Sequence, residues 1–469
     1  MCGIIGVVSR DDDVVEDARV LLNAENNRGE QACGSAVFNG GKMCCYRDEG
    51  LVAEVFGNKH RKKWFKKGRS CIMHALYSTI GRGGETKQPQ MFQPLLGSFH
   101  GRPFALGHNG NLVRVGALRG AAKRAGYKFN SETSDTEVIV ALLSTSKKKD
   151  FLEALREALK KIEGKGAFSL VILYEGKVIG ARDQNGIRPL CVGKKNGNND
   201  SYILASESSV FPALRSARFI REIEPGEVIV LGPDGIEKSF KWTQKTCSNF
   251  CIAELIYFSN PAAMYFGRSV YAFRAKTGEI AAQEHPVSAD VVVPIPDSGR
   301  GAADGFSSES GIPKREGIVK SRYSLRTFME PREVDRSQKQ RAKLQALPDV
   351  MAGKSVCLVE DSLFRGSVAR PAVSLTRVHG KAREVHLRIC SPPVCCRCHL
   401  GLDTSTSKEL LASRLSISEI RDKIVHADSL RYLSLKGLKR ALLELGLLPK
   451  NFCLGCFTGK YPVEPPKEK

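Results

Sequence analysis

Near residue 240 the hydrophobic pattern of this chain changes, and the change restricts it to folds built from two unlike α/β halves. Before it, short β-like runs punctuated by Gly and Asn recur at 3–8, 168–173, 178–181, 202–205 and 228–231, the spacing of a sheet-dominated domain. Helical patterns at 134–143 and 150–162 interrupt them. The first is opened by Thr133-Ser134-Asp135-Thr136-Glu137 in the manner of a capping box, so an α/β sandwich is expected rather than an all-β domain. After the turn-rich Gly232-Pro233-Asp234-Gly235, β-branched strands at 290–295 and 355–359 alternate with helical segments at 269–284 and 368–378. That alternation signals a parallel sheet of βαβ units. A chain of 469 residues also exceeds the size at which a single core stops growing. Two domains are expected, 1–240 and 241–469.

The bulk numbers exclude several classes. Hydrophobic residues at 42% and charged ones at 26% are those of a soluble globular protein. The apolar run at 4–8 is followed at once by Arg10-Asp11-Asp12-Asp13, which is no signal peptide, and no stretch spans a membrane. A cytoplasmic, reducing setting is expected, so the 15 cysteines call for an explanation other than disulfides. The net charge of +22 and the run Lys59 to Lys67 admit a nucleic-acid partner. They suit equally an enzyme handling a multiply phosphorylated substrate, and the aromatic content of 7% is sparse for base stacking.

Three local patterns carry chemistry. In Val356-Cys357-Leu358-Val359-Glu360-Asp361-Ser362-Leu363-Phe364-Arg365-Gly366-Ser367 an apolar strand runs into two acids, a glycine loop and a helix start. This order sets the loop at the carboxyl edge of a parallel sheet, where N–H groups and a helix N-terminus hold phosphate; the acids suit ribose hydroxyls. Cys2 follows the initiator Met1, whose removal would leave a thiol and a free α-amine on one residue. An amine of pKa about 8 can take the thiol proton and return it to a leaving ammonia. Cys453-Leu454-Gly455-Cys456 has a spacing that lets one turn present two thiolates to a metal. Four thiolates would hold Zn²⁺ or a 4Fe–4S cluster equally well on spacing alone. Cys395-Cys396-Arg397-Cys398-His399 matches the c-type haem attachment pattern, a chemistry of exported proteins that the N-terminus does not support.

The string at 356–367 resembles the phosphoribosylpyrophosphate motif of phosphoribosyltransferases. Together with Cys2 it resembles the glutamine phosphoribosylpyrophosphate amidotransferase family from residue 2 to about Pro462. Supporting stretches are Arg28-Gly29, Tyr77-Ser78-Thr79, His108-Asn109-Gly110-Asn111-Leu112, Ser134-Asp135-Thr136-Glu137-Val138, Arg182-Asp183, Gly186-Ile187-Arg188-Pro189-Leu190, Ala205-Ser206-Glu207-Ser208 and Pro294-Ile295-Pro296-Asp297-Ser298-Gly299.

The resemblance implies an N-terminal-nucleophile αββα sandwich followed by a type I phosphoribosyltransferase domain. It implies Cys2 as nucleophile, with Asn109 and Gly110 stabilising the oxyanion and Asp135 and Arg28 binding glutamine. Asp297, Ser298, Gly299, Glu360, Asp361, Ser362, Arg365, Gly366 and Ser367 would bind phosphoribosylpyrophosphate beneath a cover carrying Arg322, Tyr323, Arg326 and Lys343. Mg²⁺ would sit by Ser298, Glu360 and Asp361, and Cys251, Cys398, Cys453 and Cys456 would hold a structural 4Fe–4S cluster. A homo-oligomer, tetramer or dimer, inhibited by purine nucleotides is implied. The chain departs from the family pattern in places. Leu76 replaces the arginine of His-x-Arg-Tyr expected to bind the glutamine α-carboxylate, with Arg82 nearby as a substitute. Glu30-Gln31 is inverted, Glu360 replaces an aspartate, and Ser321 and Leu325 replace an asparagine and a glycine of the cover. These departures leave two other readings: an enzyme using free ammonia, its glutaminase half impaired, or a regulatory or nucleic-acid-binding protein keeping the phosphoribosyltransferase fold as a sensor.

Overall fold

The computed structural model describes the chain except residues 11, 58–66, 78–88, 198–199, 321–343, 405 and 467–469. Strand Gly3–Ser9 lies at the centre of a seven-stranded antiparallel sheet, between Ser201–Ala205 and Ser70–Leu76. The period-two alternation of a strand sorts its side chains between two cores. Ile4 and Val8 face inward against Ala105, Val171, Val178 and Ile229 of a second, six-stranded antiparallel sheet. Ile5 and Val7 face outward against Val15, Ala18, Leu21 and Leu22 of helix Val15–Ala24. Helices Thr136–Ser144 and Phe151–Lys161 cover the other side of the second sheet, completing an αββα sandwich whose last strand is Gly235–Lys241. The expected capping box at 133–137 is only half made. Ser134 Oγ accepts the Glu137 N–H at 3.2 Å, but the Glu137 carboxylate turns to the N–H groups of Asn130 and Ser131.

Beyond the sandwich, Val291–Pro294, Ser355–Glu360, Glu384–Ile389 and Ser429–Tyr432 form a parallel sheet in that order. Helices Val270–Glu284, Arg300–Ser310 and Leu435–Glu444 pack on one face, and Ala369–Val378 on the other. Two glycines let the first pair of helices nearly touch. A Cβ on Gly278 would stand 1.9 Å from the Ala302 carbonyl oxygen, and one on Gly305 1.8 Å from that of Ala275. The halves meet on an apolar junction of Val113, Ala167, Ile187, Phe258, Leu400 and Leu402, with Met1 and Cys251 in it. None of the described helices is long and apolar enough to cross a membrane.

Candidate active sites

Cys2 enters the central strand of the first sheet almost wholly buried. With Met1 in place its nitrogen is a peptide amide, which donates to Asn109 Oδ1 at 3.0 Å, and its thiol points to the Tyr77 carbonyl at 3.8 Å. Asn109 lies on the adjacent edge of strand Arg102–Leu112, fully buried, and its Nδ2 has no partner among the described residues. A buried amide donor left unpaired costs free energy, and it finds its acceptor when an oxyanion develops beside the thiol. Gly110 follows at φ 154°, where a Cβ would meet the Ala167 carbonyl oxygen at 2.0 Å. No other residue fits that turn of the strand.

Asp135 stands at the N-terminus of helix Thr136–Ser144, its oxygens accepting the N–H of Leu112 at 2.7 Å and of Thr136 at 2.8 Å. Each oxygen keeps a lone pair for an ammonium, and the side chain is partly exposed. Burial holds neighbouring His108 below its ordinary value against the pull of Asp135; the neutral ring bonds Thr136 Oγ1 at 3.0 Å. Arg28 is placed differently from an open ligand pocket. It is wholly buried, its Nε donating to the Cys2 carbonyl at 3.0 Å and its other nitrogens to Glu207 at 2.6 Å and to both oxygens of Glu254 at 3.0 Å. Burial would raise the Glu254 carboxyl, and Arg28, the strongest opposing influence, brings it below the usual carboxylate value. Glu254 also meets Arg188 at 3.4 Å. The sequence reading gave Arg188, Glu207 and Glu254 no role; Glu254 stands in an otherwise apolar stretch, but that all three are buried and paired with one another's partners is visible only in the structure.

The second centre lies at the carboxyl edge of the parallel sheet, where the segments after two adjacent strands converge. Asp297, Ser298 and Gly299 follow Val291–Pro294, and Glu360 and Asp361 end Ser355–Glu360. Ser298 Oγ donates to Glu360 Oε1 at 3.4 Å, while Glu360 Oε2 is buried without a partner among the described residues. Burial, followed by the neighbouring Asp361 charge, pushes Glu360 well above the usual carboxylate range, and burial raises Asp361. Two buried acids in contact with a hydroxyl are a hard, oxygen-only donor set, which a divalent cation or a vicinal diol would satisfy. The Ser362 hydroxyl bonds Asp361, and residues 362–368 lead into helix Ala369–Val378 with Gly366 at φ 74°. Arg365 is turned aside, its Nε on Glu409 at 2.7 Å and Nη2 on the Asp403 carbonyl at 2.9 Å. Asp297 receives Lys320 at 2.9 Å. Arg322, Tyr323, Arg326 and Lys343 of the expected cover, and Arg82 of the glutamine side, lie outside the described residues.

Cys251 and Cys453 are directly opposed in a two-residue parallel ladder. Cys456 is buried, and burial, followed by the charges of Cys251, Cys453 and Cys398, raises its thiol above the ordinary value. Among the described residues no group of three or more His, Cys, Asp or Glu is disposed to hold a metal ion.

Residues 85–213 match a family model described as a glutamine amidotransferase domain. Over 99% of its length the chain is 38% identical to an amidophosphoribosyltransferase of Synechocystis, covering 91% of that protein. It is 39% identical to that of Methanocaldococcus jannaschii, with 100% and 99% covered. The solved Bacillus subtilis glutamine phosphoribosylpyrophosphate amidotransferase, complexed with ADP and GMP, superposes with a TM-score of 0.88 at 36% identity, covering 100% of this chain and 98% of that one.

Proposed function

The chain belongs to the amidophosphoribosyltransferase family, and on that premise we propose how its residues divide the work. It hydrolyses glutamine and transfers the ammonia to 5-phosphoribosyl-1-pyrophosphate, giving 5-phosphoribosylamine, glutamate and pyrophosphate in purine biosynthesis. Residues 1–240 form the glutaminase and 241–469 the phosphoribosyltransferase.

Removal of Met1 turns the Cys2 amide into an amine. This amine takes the thiol proton, the thiolate attacks the glutamine amide carbon, and the same amine returns the proton to the leaving ammonia. The observation that carries this reading is the unpartnered, buried Asn109 Nδ2 beside the nucleophile: with the Gly110 N–H it receives the oxyanion. Asp135 receives the substrate α-ammonium, and Arg28 fixes the Cys2 carbonyl from below. The apolar junction between halves offers ammonia a path free of competing water.

At the second centre Glu360 and Asp361 accept hydrogen bonds from the ribose hydroxyls, the 362–367 loop and helix start receive the 5′-phosphate, and the 297–299 turn receives pyrophosphate. Ser298, Glu360 and Asp361 would hold Mg²⁺, which neutralises diphosphate charge when bound. Cys251, Cys398, Cys453 and Cys456 would hold a 4Fe–4S cluster that ties three segments together. Anaerobically purified protein should then carry about four irons per chain, and stoichiometric zinc without iron would overturn the assignment. Purine nucleotides act as inhibitors, as the nucleotide-bound Bacillus subtilis relative suggests, on a cytoplasmic homo-oligomer.

The test is Cys2→Ser: glutamine-dependent turnover should vanish and ammonium-dependent turnover survive. Retention of Met1 in a glutamine-active preparation, read by mass spectrometry, refutes the terminal nucleophile.

A further inference from the structure

The cysteine-bearing segments do not stand apart from the nucleophile. Cys398 Sγ accepts the Leu400 N–H at 3.3 Å. In the same loop the His399 carbonyl takes Asn111 Nδ2 at 2.8 Å, and the Leu400 carbonyl takes Arg188 Nε at 3.1 Å and Nη2 at 2.6 Å. Gly401, at φ 108°, lies against the oxyanion strand, where a Cβ would stand 3.4 Å from the Gly110 carbonyl carbon and 3.1 Å from Arg188 Nη2. Cys251 is held from the same side, its N–H on the Ile187 carbonyl at 3.1 Å, one residue before Arg188. Three residues later Glu254 joins Arg188 to Arg28, and Arg28 holds the Cys2 carbonyl. Arg188 Nη1 rests on Met1. Arg28, Arg188 and Glu254 are all without solvent exposure.

We infer that Arg188 is a positioning residue for the nucleophile, tying the Cys398 loop and, through Glu254, the Cys251 segment to the start of the chain. Through Arg188, order at the four-cysteine site is felt at the glutaminase centre. After Met1 is removed, the buried guanidinium keeps the Leu400 carbonyl and Glu254 as partners, and it tolerates little displacement because a buried charge that loses them is uncompensated. A shift of the 398–401 loop therefore moves Arg188, and with it Gly110 and the residues that flank Cys2. If Arg188 did no more than hold the two halves together, its loss would lower both activities alike. The inference rests on the glutaminase reading above.

The test uses the full-length protein purified with its metal, as wild type, Arg188→Gln and Arg188→Lys. Glutamine kinetics, ammonium-dependent turnover and the rate of Cys2 alkylation by a chloroketone analogue of glutamine are compared. Arg188→Gln should lose about a hundredfold in kcat for glutamine and in alkylation rate, with the KM for glutamine and ammonium-dependent turnover near wild type. Arg188→Lys should recover part of the loss. Chelation of iron from the wild type should slow Cys2 alkylation before it lowers ammonium-dependent turnover. Parallel loss of both activities, or an unchanged alkylation rate, overturns the inference. A wild type that neither hydrolyses glutamine nor is alkylated at Cys2 refutes the glutaminase reading itself. Should Arg188→Gln fail to fold, Asn111→Ala, which releases the same loop at His399, carries the same expectations.

Discussion

Asn109 and Leu76 show what single residues decide here. Asn109 spends its oxygen on the Cys2 nitrogen and keeps its amide in reserve, so Asn109→Ala should lower kcat for glutamine hydrolysis by about 10² to 10³ and leave ammonium-dependent turnover intact; an equal loss of both would count against an oxyanion role. Leu76 ends strand Ser70–Leu76, next to Tyr77, whose carbonyl faces the Cys2 thiol. A leucine there gives a glutamine carboxylate no partner. Leu76→Arg should therefore improve glutamine use by about one to two decades through KM, whereas no gain, with loss of activity in Arg82→Ala, would assign the carboxylate to Arg82. Cys2 stood out in the sequence by its place after Met1, whereas Asn109 and Gly110 entered only through the family resemblance; the structure sets Asn109 on the Cys2 nitrogen. Arg28, expected from the resemblance to bind glutamine, is instead buried on the Cys2 carbonyl, Glu207 and Glu254. Its two carboxylate partners lie 179 and 226 residues away, and nothing local announces such a pairing.

At the scale of elements, the period-two strands and the strand, loop and helix order at 355–378 could be read directly, since they depend on local alternation and on one glycine turn. The contact between helices Val270–Glu284 and Arg300–Ser310 could not. Gly278 and Gly305 read in the sequence as helix-weakening residues, yet each meets a carbonyl of the opposite helix. Gly278→Ala should therefore destabilise the protein by about 1 to 3 kcal/mol, seen as a lower urea midpoint, although alanine is the better helix former. A raised midpoint would show that the helices can part without cost. Glu360 and Asp361 close the neighbouring strand edge, and Glu360→Ala should abolish both glutamine- and ammonium-dependent product formation while glutamine hydrolysis alone persists. That pattern separates the two centres, and loss of hydrolysis as well would contradict it.

Across the whole molecule, charge buried near the nucleophile links stability to pH. Burial pushes Glu25 up to about 8, with Arg28 opposing and Glu207 adding to the rise. The protonated acid leaves two buried arginines, Arg28 and Arg188, facing two carboxylates, Glu207 and Glu254. Because the folded value lies above the ordinary carboxylate value, this contribution is fully present below about 4.5 and is lost as pH rises through about 8. The denaturant midpoint should fall across that window, and Glu25→Gln should flatten the fall. An unchanged pH profile in the variant would place the proton elsewhere. The division into halves could be read from the sequence, whereas the charges crossing between them could not, since they join residues that share no local pattern. The central claim, that glutamine nitrogen taken in one half is placed on the sugar by the other, is tested most directly with amide-¹⁵N glutamine as sole nitrogen source together with phosphoribosylpyrophosphate and Mg²⁺. The account predicts labelled 5-phosphoribosylamine, glutamate and pyrophosphate in equal amounts; glutamate without labelled amine, or no product of either kind, would contradict it.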